Sequence, residues 1–453
     1  MIRLLRLALV LLPVCSLAAG AGAASPDEPL EDTVRAAERL EAMVRGTELT
    51  AALSGLQVSL VEGGRPGEGW AFGFAQLTDG GPEALRRDHK VRVASISKLL
   101  VAIGVMRLVE EGRLDLDTDV STYLGWSLRN PAFPERPITI RQLLTHTSSL
   151  RDGRAYFIRG GEGELRDFFR PGTPQWENGA HFASGSGREP GAFFTYSNLA
   201  FGVLGSVIER ASGERFDLFM SRAVLEPLAI GASFNACAIA DEQRAAAFRK
   251  RPPEGAWNSH GPWIAQVDGG PPSCFYGGSD PAFVETFLSG YALGSNGTLF
   301  SPQGGLRASA DDLAVVLRML AGGGAVDGRR ILSEASVDAM LAPGWTLDAH
   351  GSNGLSAGEA EPGGTTEGLM TSYGLSVHRI DMRAWGFDRG PRLLVGHLGE
   401  AYGVLSHALI DPETGDGIAT IITGTADDPA AAAPGTSPLY RVEEEILRWW
   451  LRR

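Results

Sequence analysis

Leu56-Gln57-Val58-Ser59-Leu60 alternates apolar and polar residues, and Trp70-Ala71-Phe72-Gly73-Phe74 follows it across a Gly63–Gly67 stretch rich in Gly and Pro. Two such runs around a turn predict a β-hairpin. Upstream, residues 25–48 are polar and charged with apolar positions at Val34, Leu40 and Val44, which predicts a helix. Residues 95–111 are strongly apolar and stop at Gly112, the pattern of a helix buried on most sides. Ile138-Thr139-Ile140 leads into Arg141-Gln142-Leu143-Leu144, a helix start with Thr139 as cap. Further helices are predicted over 199–211, 216–225, 310–320 after Ser309, and 333–341. Residues 151–192 and 231–305 are rich in Gly, Pro and charge and read as irregular, as does the Gly-rich stretch 351–368. Short strands return at 392–395, 404–410 and 418–422, with Pro412–Gly417 as a turn, and a helix over 440–450 closes the chain. Strands thus lie at both ends with helices between. The fold class expected is α+β: one antiparallel sheet built from both chain ends with flanking helices, plus a mostly helical second lobe over about 115–345.

Length and composition fit this picture. The chain has 453 residues, 43% of them hydrophobic, enough for a large core. A formal net charge of −13, with no basic run, argues against a nucleic-acid partner. Arg3 and Arg6, an apolar run over 7–17 and Ala21-Gly22-Ala23 have the order of a cleavable signal peptide, residues 1–23, which predicts an exported protein, periplasmic or secreted. The run is too short to span a bilayer, and no other segment reads as a membrane span. Acylation at Cys15 is disfavoured because Val14 before it is not small. The remaining cysteines, Cys237 and Cys274, can pair in an oxidising compartment and would close a loop within one irregular segment.

The candidate chemistry starts from the scarcity of lysine. Of 41 basic residues only Lys90, Lys98 and Lys250 are lysines, and Lys98 alone has a serine, Ser95, three positions before it. On a helix that spacing shares a face. Burial disfavours the ammonium form, and a neutral amine beside a hydroxyl is a base beside a nucleophile. Tyr196-Ser197-Asn198 stands just before an apolar helix; a phenol near Lys98 can relay a proton and an amide can hold a substrate carbonyl. His397-Leu398-Gly399 lies on the strand predicted from Arg392, where a basic residue on an edge strand can face substrate and a glycine lets its backbone come close. Taken singly, each element also fits a structural role: a helix cap with a surface lysine, an amphipathic tyrosine at a helix start, a satisfied strand histidine.

Taken together, Ser95/Lys98, Tyr196/Asn198 and His397/Gly399 resemble the motif set of the β-lactamases and penicillin-binding proteins, in the branch that carries Tyr-x-Asn. That branch includes class C β-lactamases, D-Ala-D-Ala carboxypeptidases, D-aminopeptidases and related esterases. The stretches Val93–Leu116, Arg141–Ser148 and Gly304–Leu313 are similar to further family signatures. The resemblance covers about residues 50–425, excluding insertions near 151–190 and 235–295. It implies a serine hydrolase domain over 49–453 behind a helical extension at 24–48. It also implies Ser95 as the acylated nucleophile, Lys98 as its base, Tyr196 as acid/base, and Asn198, His397 and Gly399 as substrate-binding residues. The oxyanion hole would be the backbone N–H groups of Ser95 and Glu400.

One residue departs from the pattern. His397 stands where β-lactamases carry lysine, and imidazole is largely neutral at pH 7, which weakens the fixed charge that holds a β-lactam carboxylate. The expected activity is therefore hydrolysis of amide or ester bonds in D-peptides, peptidoglycan fragments or small esters. A true β-lactamase and a non-turnover sensor of β-lactams or peptidoglycan are the alternatives. No metal or other cofactor is expected, since no zinc-ligand spacing or phosphate-binding glycine loop occurs. Gly354-Leu355-Ser356-Ala357-Gly358 matches a G-x-S-x-G elbow but lacks the strand and helix that motif needs. His146 is expected to hold its loop, and Trp449-Trp450 to pack on the sheet.

Overall fold

The computed structural model describes residues 28–357 and 367–453; the expected leader, with Cys15, lies outside them. After a helix at Glu28–Arg45 (α1), three strands run over Leu53–Glu62 (β1), Arg65–Thr78 (β2) and Gly81–Ala84 (β3). The β1–β2 turn is Gly63-Gly64, with φ of +55° and +74°. Both values lie in the left-handed region that a two-residue hairpin turn requires, and glycine takes it without a Cβ clash. A short hairpin, Ala247–Arg249 (β4) with Ile264–Val267 (β5), belongs to the middle of the chain. The late strands are Trp345–Thr346 (β6), Ser372–Tyr373 (β7), His378–Asp381 (β8), Leu393–Ala401 (β9), Val404–Ile410 (β10) and Gly417–Thr425 (β11).

Among the described residues these form one nine-stranded antiparallel sheet in the order β6-β7-β8-β9-β10-β11-β1-β2-β3. The β11–β1 pairing, Leu56 opposite Ile422 and Val58 opposite Thr420, joins the two chain ends in mid-sheet. This is the α+β architecture expected.

Alternation in β1 does not separate a dry face from a wet one, because both faces are covered. Leu56, Val58 and Leu60 enter a core shared with α1 and the closing helix Arg441–Trp450, where Trp449 meets Trp70 edge-on at 5.7 Å. Gln57 and Ser59 turn the other way and are buried. Gln57 donates to the carbonyls of Arg86 and His89 and accepts from Ala310 N, the first residue of the helix Ala310–Ala321. A polar residue is tolerated there because its side chain satisfies orphan donors and acceptors.

The second core joins the sheet to the helical lobe. Its axis is Ser97–Glu110 (α2), buried at almost every position. Thr139 and Ser309 each close a capping box, with Gln142 and Asp312. Leu199–Ser212 (α3) packs on α2. Segment 231–305 holds more order than its composition suggests: besides β4–β5 it forms a helix at Pro281–Ser289, with Asp280 as cap and Pro281 in the first turn. Its apolar residues Val284, Phe287 and Leu288 pack against the core through Phe275. Cys237 and Cys274 are joined by a disulfide, Cα atoms 5.0 Å apart.

Glu209 on α3 is buried and accepts from Phe216 N, Tyr291 Oη and Gly294 N at 2.7–3.0 Å, tying the end of this segment to the lobe. Burial pushes its carboxyl up to about 7, and the three hydrogen bonds offset only part of that. A carboxyl with a raised folded-state pKa holds its proton more tightly when folded. Stability is then greatest below the ordinary glutamate range near 4.5 and falls as pH rises through about 7, by about 3 kcal/mol from this group. Melting temperatures of wild type and Glu209→Gln between pH 4.5 and 8 should therefore differ in slope, with wild type losing stability across that window. Parallel curves would contradict the assignment.

Candidate active site

Ser95 sits in a single 3-10 turn, Ala94–Ile96, that feeds directly into α2. Ala94 before it has φ +49°, a strained conformation for a residue with a Cβ. The surroundings hold that turn in place. Ser97 Oγ donates to Ala94 O at 2.7 Å and accepts from Leu306 N at 3.0 Å, while Ser406 Oγ on β10 donates to Val93 O at 3.0 Å. Gly399 on β9 lies against the same turn; a Cβ there would come within 2.5 Å of Val93 O and 3.2 Å of Ser95 N. Glycine is required because two backbones meet.

Lys98 is fully buried. Its Nζ lies 2.9 Å from Ser95 Oγ, 2.8 Å from Asn198 Oδ1 and 2.8 Å from the carbonyl oxygen of Gln303. The amide oxygen and the carbonyl can only accept, so two N–H bonds of Lys98 are committed to them. The remaining side of the amine faces the Ser95 hydroxyl.

Tyr196 and Asn198 arrive from the loop before α3. The Tyr196 ring centroid is 4.8 Å from Lys98 Nζ and 4.2 Å from that of the His146 ring. His146 also accepts from Ser197 N through Nδ1 at 3.1 Å, so it supports this loop. Asp152 gives the stronger support, and the sequence reading missed it. Its carboxylate accepts from Ser197 Oγ, Asn198 N, Asn198 Nδ2 and Leu199 N at 2.9–3.1 Å, capping α3. Because a carboxylate accepts only, Asn198 must turn Nδ2 to Asp152 and Oδ1 to Lys98. The only sequence signal was position, four residues beyond the Arg141–Ser148 stretch.

His397 does not go where the sequence suggested. β9 is not an edge strand: it lies between β8 and β10. The His397 ring is fully buried and does not border the cleft. Nδ1 is 2.6 Å from Leu398 O, an acceptor, so that nitrogen carries the proton; Nε2 accepts from Tyr373 Oη at 2.8 Å. Burial first, then the charges of His378 and Lys98, holds its pKa well below the ordinary histidine range. Strand alternation explains the outcome: His397 faces inward while Leu398 borders the cleft. His378 reaches the cleft instead and is also neutral, its pKa pushed down to about 3 by burial and by Lys98.

The second half of β9 is not paired with β8. Pairing with β8 ends at Gly396 opposite His378. At the other end Tyr402 and Gly403, φ +57° and +96°, form a two-residue turn flanked by the pair Ala401 and Val404. Residues flanking such a turn form a hydrogen-bonded pair, so the next pair, Glu400 with Leu405, is a non-bonded one. The Glu400 N–H therefore points off β10 toward the cleft.

Ser95, Tyr196, Asn198, Gly399 and Glu400 line one cavity of about 700 Å³. Both irregular segments contribute to its walls, through Tyr156 on one and Arg249, Arg251 and Tyr276 on the other. Ser356 lies elsewhere, bonding Gly368 N in its own loop, and Gly358 falls outside the described residues.

The chain is similar to several known proteins. The family model described as Beta-lactamase matches residues 36–439. Esterase EstB of Burkholderia gladioli is 36% identical over 172 residues, which cover 35% of this chain and 41% of that protein. The D-alanyl-D-alanine-carboxypeptidase/endopeptidase AmpH of Escherichia coli strain K12 is 30% identical over 143 residues, 31% of this chain and 35% of that one. The chain thus aligns with less than half the length of each. A solved D-amino acid amidase from Ochrobactrum anthropi SV3 is 19% identical with a TM-score of 0.58 over 92% of this chain and 99% of its own, and shares the fold. The match over most of the sequence, on a sheet joined from both chain ends, makes the chain a member of the Beta-lactamase family of serine hydrolases.

Proposed function

We propose that this protein hydrolyses an amide or ester bond through an acyl-enzyme on Ser95, as a D-peptidase, a carboxypeptidase or a carboxylesterase. One observation carries the reading: the buried amine of Lys98 spends two N–H bonds on Asn198 and Gln303 and meets Ser95 Oγ at 2.9 Å. In its neutral form that amine has a lone pair directed at the serine hydroxyl. Lys98 takes the proton as Oγ bonds to the substrate carbonyl carbon. Charge builds on the carbonyl oxygen, and the N–H groups of Ser95 and Glu400 receive it. The proton passes from Lys98 by way of Tyr196 to the leaving nitrogen or oxygen as its bond to carbon breaks. Water then attacks the acyl carbon, giving up a proton along the same route, and Oγ leaves protonated. Asn198 orients the substrate carbonyl while holding Lys98.

Neutral, inward-facing His397 offers no cation to a β-lactam carboxylate, which favours peptide or ester substrates over β-lactams. The leader pattern of residues 1–23 and the Cys237–Cys274 disulfide support export to an oxidising compartment.

Ser95→Ala should abolish labelling by a fluorophosphonate, and a panel of D-peptides, esters and β-lactams should show turnover that the variant lacks. Labelling that survived the substitution would remove Ser95 from the mechanism, and an adduct that forms but never hydrolyses would mark a sensor.

Asp152→Asn tests the support of the base. An amide at 152 no longer compels Asn198 to present Oδ1 to Lys98. The expected loss is about 100-fold in kcat, because the flipped amide releases both the base and the substrate carbonyl from their aligned positions. Thermal denaturation measured alongside separates this from unfolding, and an unchanged kcat would show that Asp152 only caps the helix.

A further inference from the structure

A fixed cation does border the cleft, in the segment 231–305. Arg249 ends β4, in the segment closed by the disulfide. Its place is fixed by two rigid elements. Gly403, in the β9–β10 turn, lies against it: a Cβ there would meet Phe248 O at 2.4 Å and Arg249 Cγ at 2.9 Å. A Cβ at Gly424 on β11 would meet Phe248 O at 2.0 Å. β4 is therefore clamped over the end of the sheet, three residues past Glu400. From there the Arg249 side chain borders the same cavity as Ser95.

Among the described residues the guanidinium has no ion-pair partner in contact, although the carboxylates of Glu400 and Asp428 act on it from farther away. Arg249 Nε is buried with no hydrogen-bond partner, and no carboxylate among the described residues forms an ion pair with this side chain. Its aromatic contact is Trp257, 5.9 Å from the ring centroid. Arg251, whose own bonds go to the carbonyls of Pro252 and Pro253, adds a second positive charge to the same wall. The charged groups that bear on Arg249 are Arg251, Glu400 and Asp428. Glu400 is engaged by Tyr440 Oη at 3.1 and 3.2 Å. Arg92, the third cavity arginine, is already served by Gly304 O at 2.8 Å, Ser301 Oγ at 3.1 Å and the Tyr402 ring. Arg249 is half-buried at the cavity wall with its Nε buried and unpartnered, and a carboxylate is the partner its planar fork fits.

We propose that Arg249, with Arg251 beside it, is an anion subsite of the cleft, and that the preferred substrates carry a carboxylate away from the scissile bond. This rests on the acyl-enzyme reading above and narrows its substrate class.

Two matched pairs test it by kcat/KM: the p-nitrophenyl monoester of glutaric acid against p-nitrophenyl butyrate, and acetyl-D-Ala-D-Ala against its C-terminal amide. Wild type should favour the charged member of at least one pair by about tenfold or more, and the pair that responds tells whether the subsite lies on the acyl or the leaving-group side. Arg249→Met and Arg249→Gln should each remove the preference, Arg249→Glu should invert it, and rising salt should weaken it. Protection of Ser95 from a neutral fluorophosphonate by the same carboxylates, compared with their amides, reads the subsite without turnover. No preference in wild type by either readout, or one that the Arg249 variants leave unchanged, overturns the subsite. Absence of Ser95 labelling in wild type would instead overturn the serine-hydrolase reading itself.

Discussion

Burying an amine is the constraint around which this structure is organised. Lys98 has no exposed surface, and each buried polar group left without a partner costs about 1–3 kcal/mol. Partners of the amine come from its own turn and from two distant parts of the chain: Ser95 in the turn that feeds its helix, Asn198 before α3, and the Gln303 carbonyl in the stretch before Ala310–Ala321. Satisfying the lysine therefore docks the loop before α3 and the 301–304 turn against α2. The same three bonds that make burial tolerable bring nucleophile, base and amide together, so stability and chemistry share one set of contacts.

The sequence made the local parts of this arrangement legible. Ser-x-x-Lys spacing puts two side chains on one helix face whatever surrounds them, and Thr139 and Ser309 announce helix starts by bonding residues three positions on. What pairing decides was not legible. Nothing near His397 says that β8 will lie alongside β9, or that the inward face of β9 will carry Tyr373 and His378. Asp152 was hidden for the same reason: it lies in a segment whose composition suggested only irregular chain, and its four donors sit more than forty positions downstream. The helix at Pro281–Ser289 was masked by the prolines and glycines around it, though Asp280-Pro281 is itself a helix-start signal.

Electrostatics on the two walls of the cleft follow from burial. His146, His378 and His397 lie close to Lys98, and burial together with the charge of Lys98 holds all three below the ordinary histidine range. Four cations so close together in a dry region would repel one another strongly, so neutral imidazoles are the stable choice. The wall beside β9 is thereby kept from offering fixed positive charge at neutral pH. Arginine cannot be neutralised this way, and the cleft's fixed cations lie on the wall built by segment 231–305 and on Arg92.

That wall has to be rigid if it is to select anything, and its contacts make it so. Tyr276, two residues past Cys274, stacks on Phe157 of the other irregular segment at 4.0 Å and bonds Ser301 Oγ at 3.1 Å. Ser301 in turn bonds Arg92, and Arg92 bonds the Gly304 carbonyl next to Gln303. A path of direct contacts thus runs from the disulfide through both segments to the residue whose carbonyl holds Lys98. A substrate group bound on that wall, as proposed above, would be held at a fixed offset from Ser95, which is how binding energy far from the scissile bond becomes correct alignment at it.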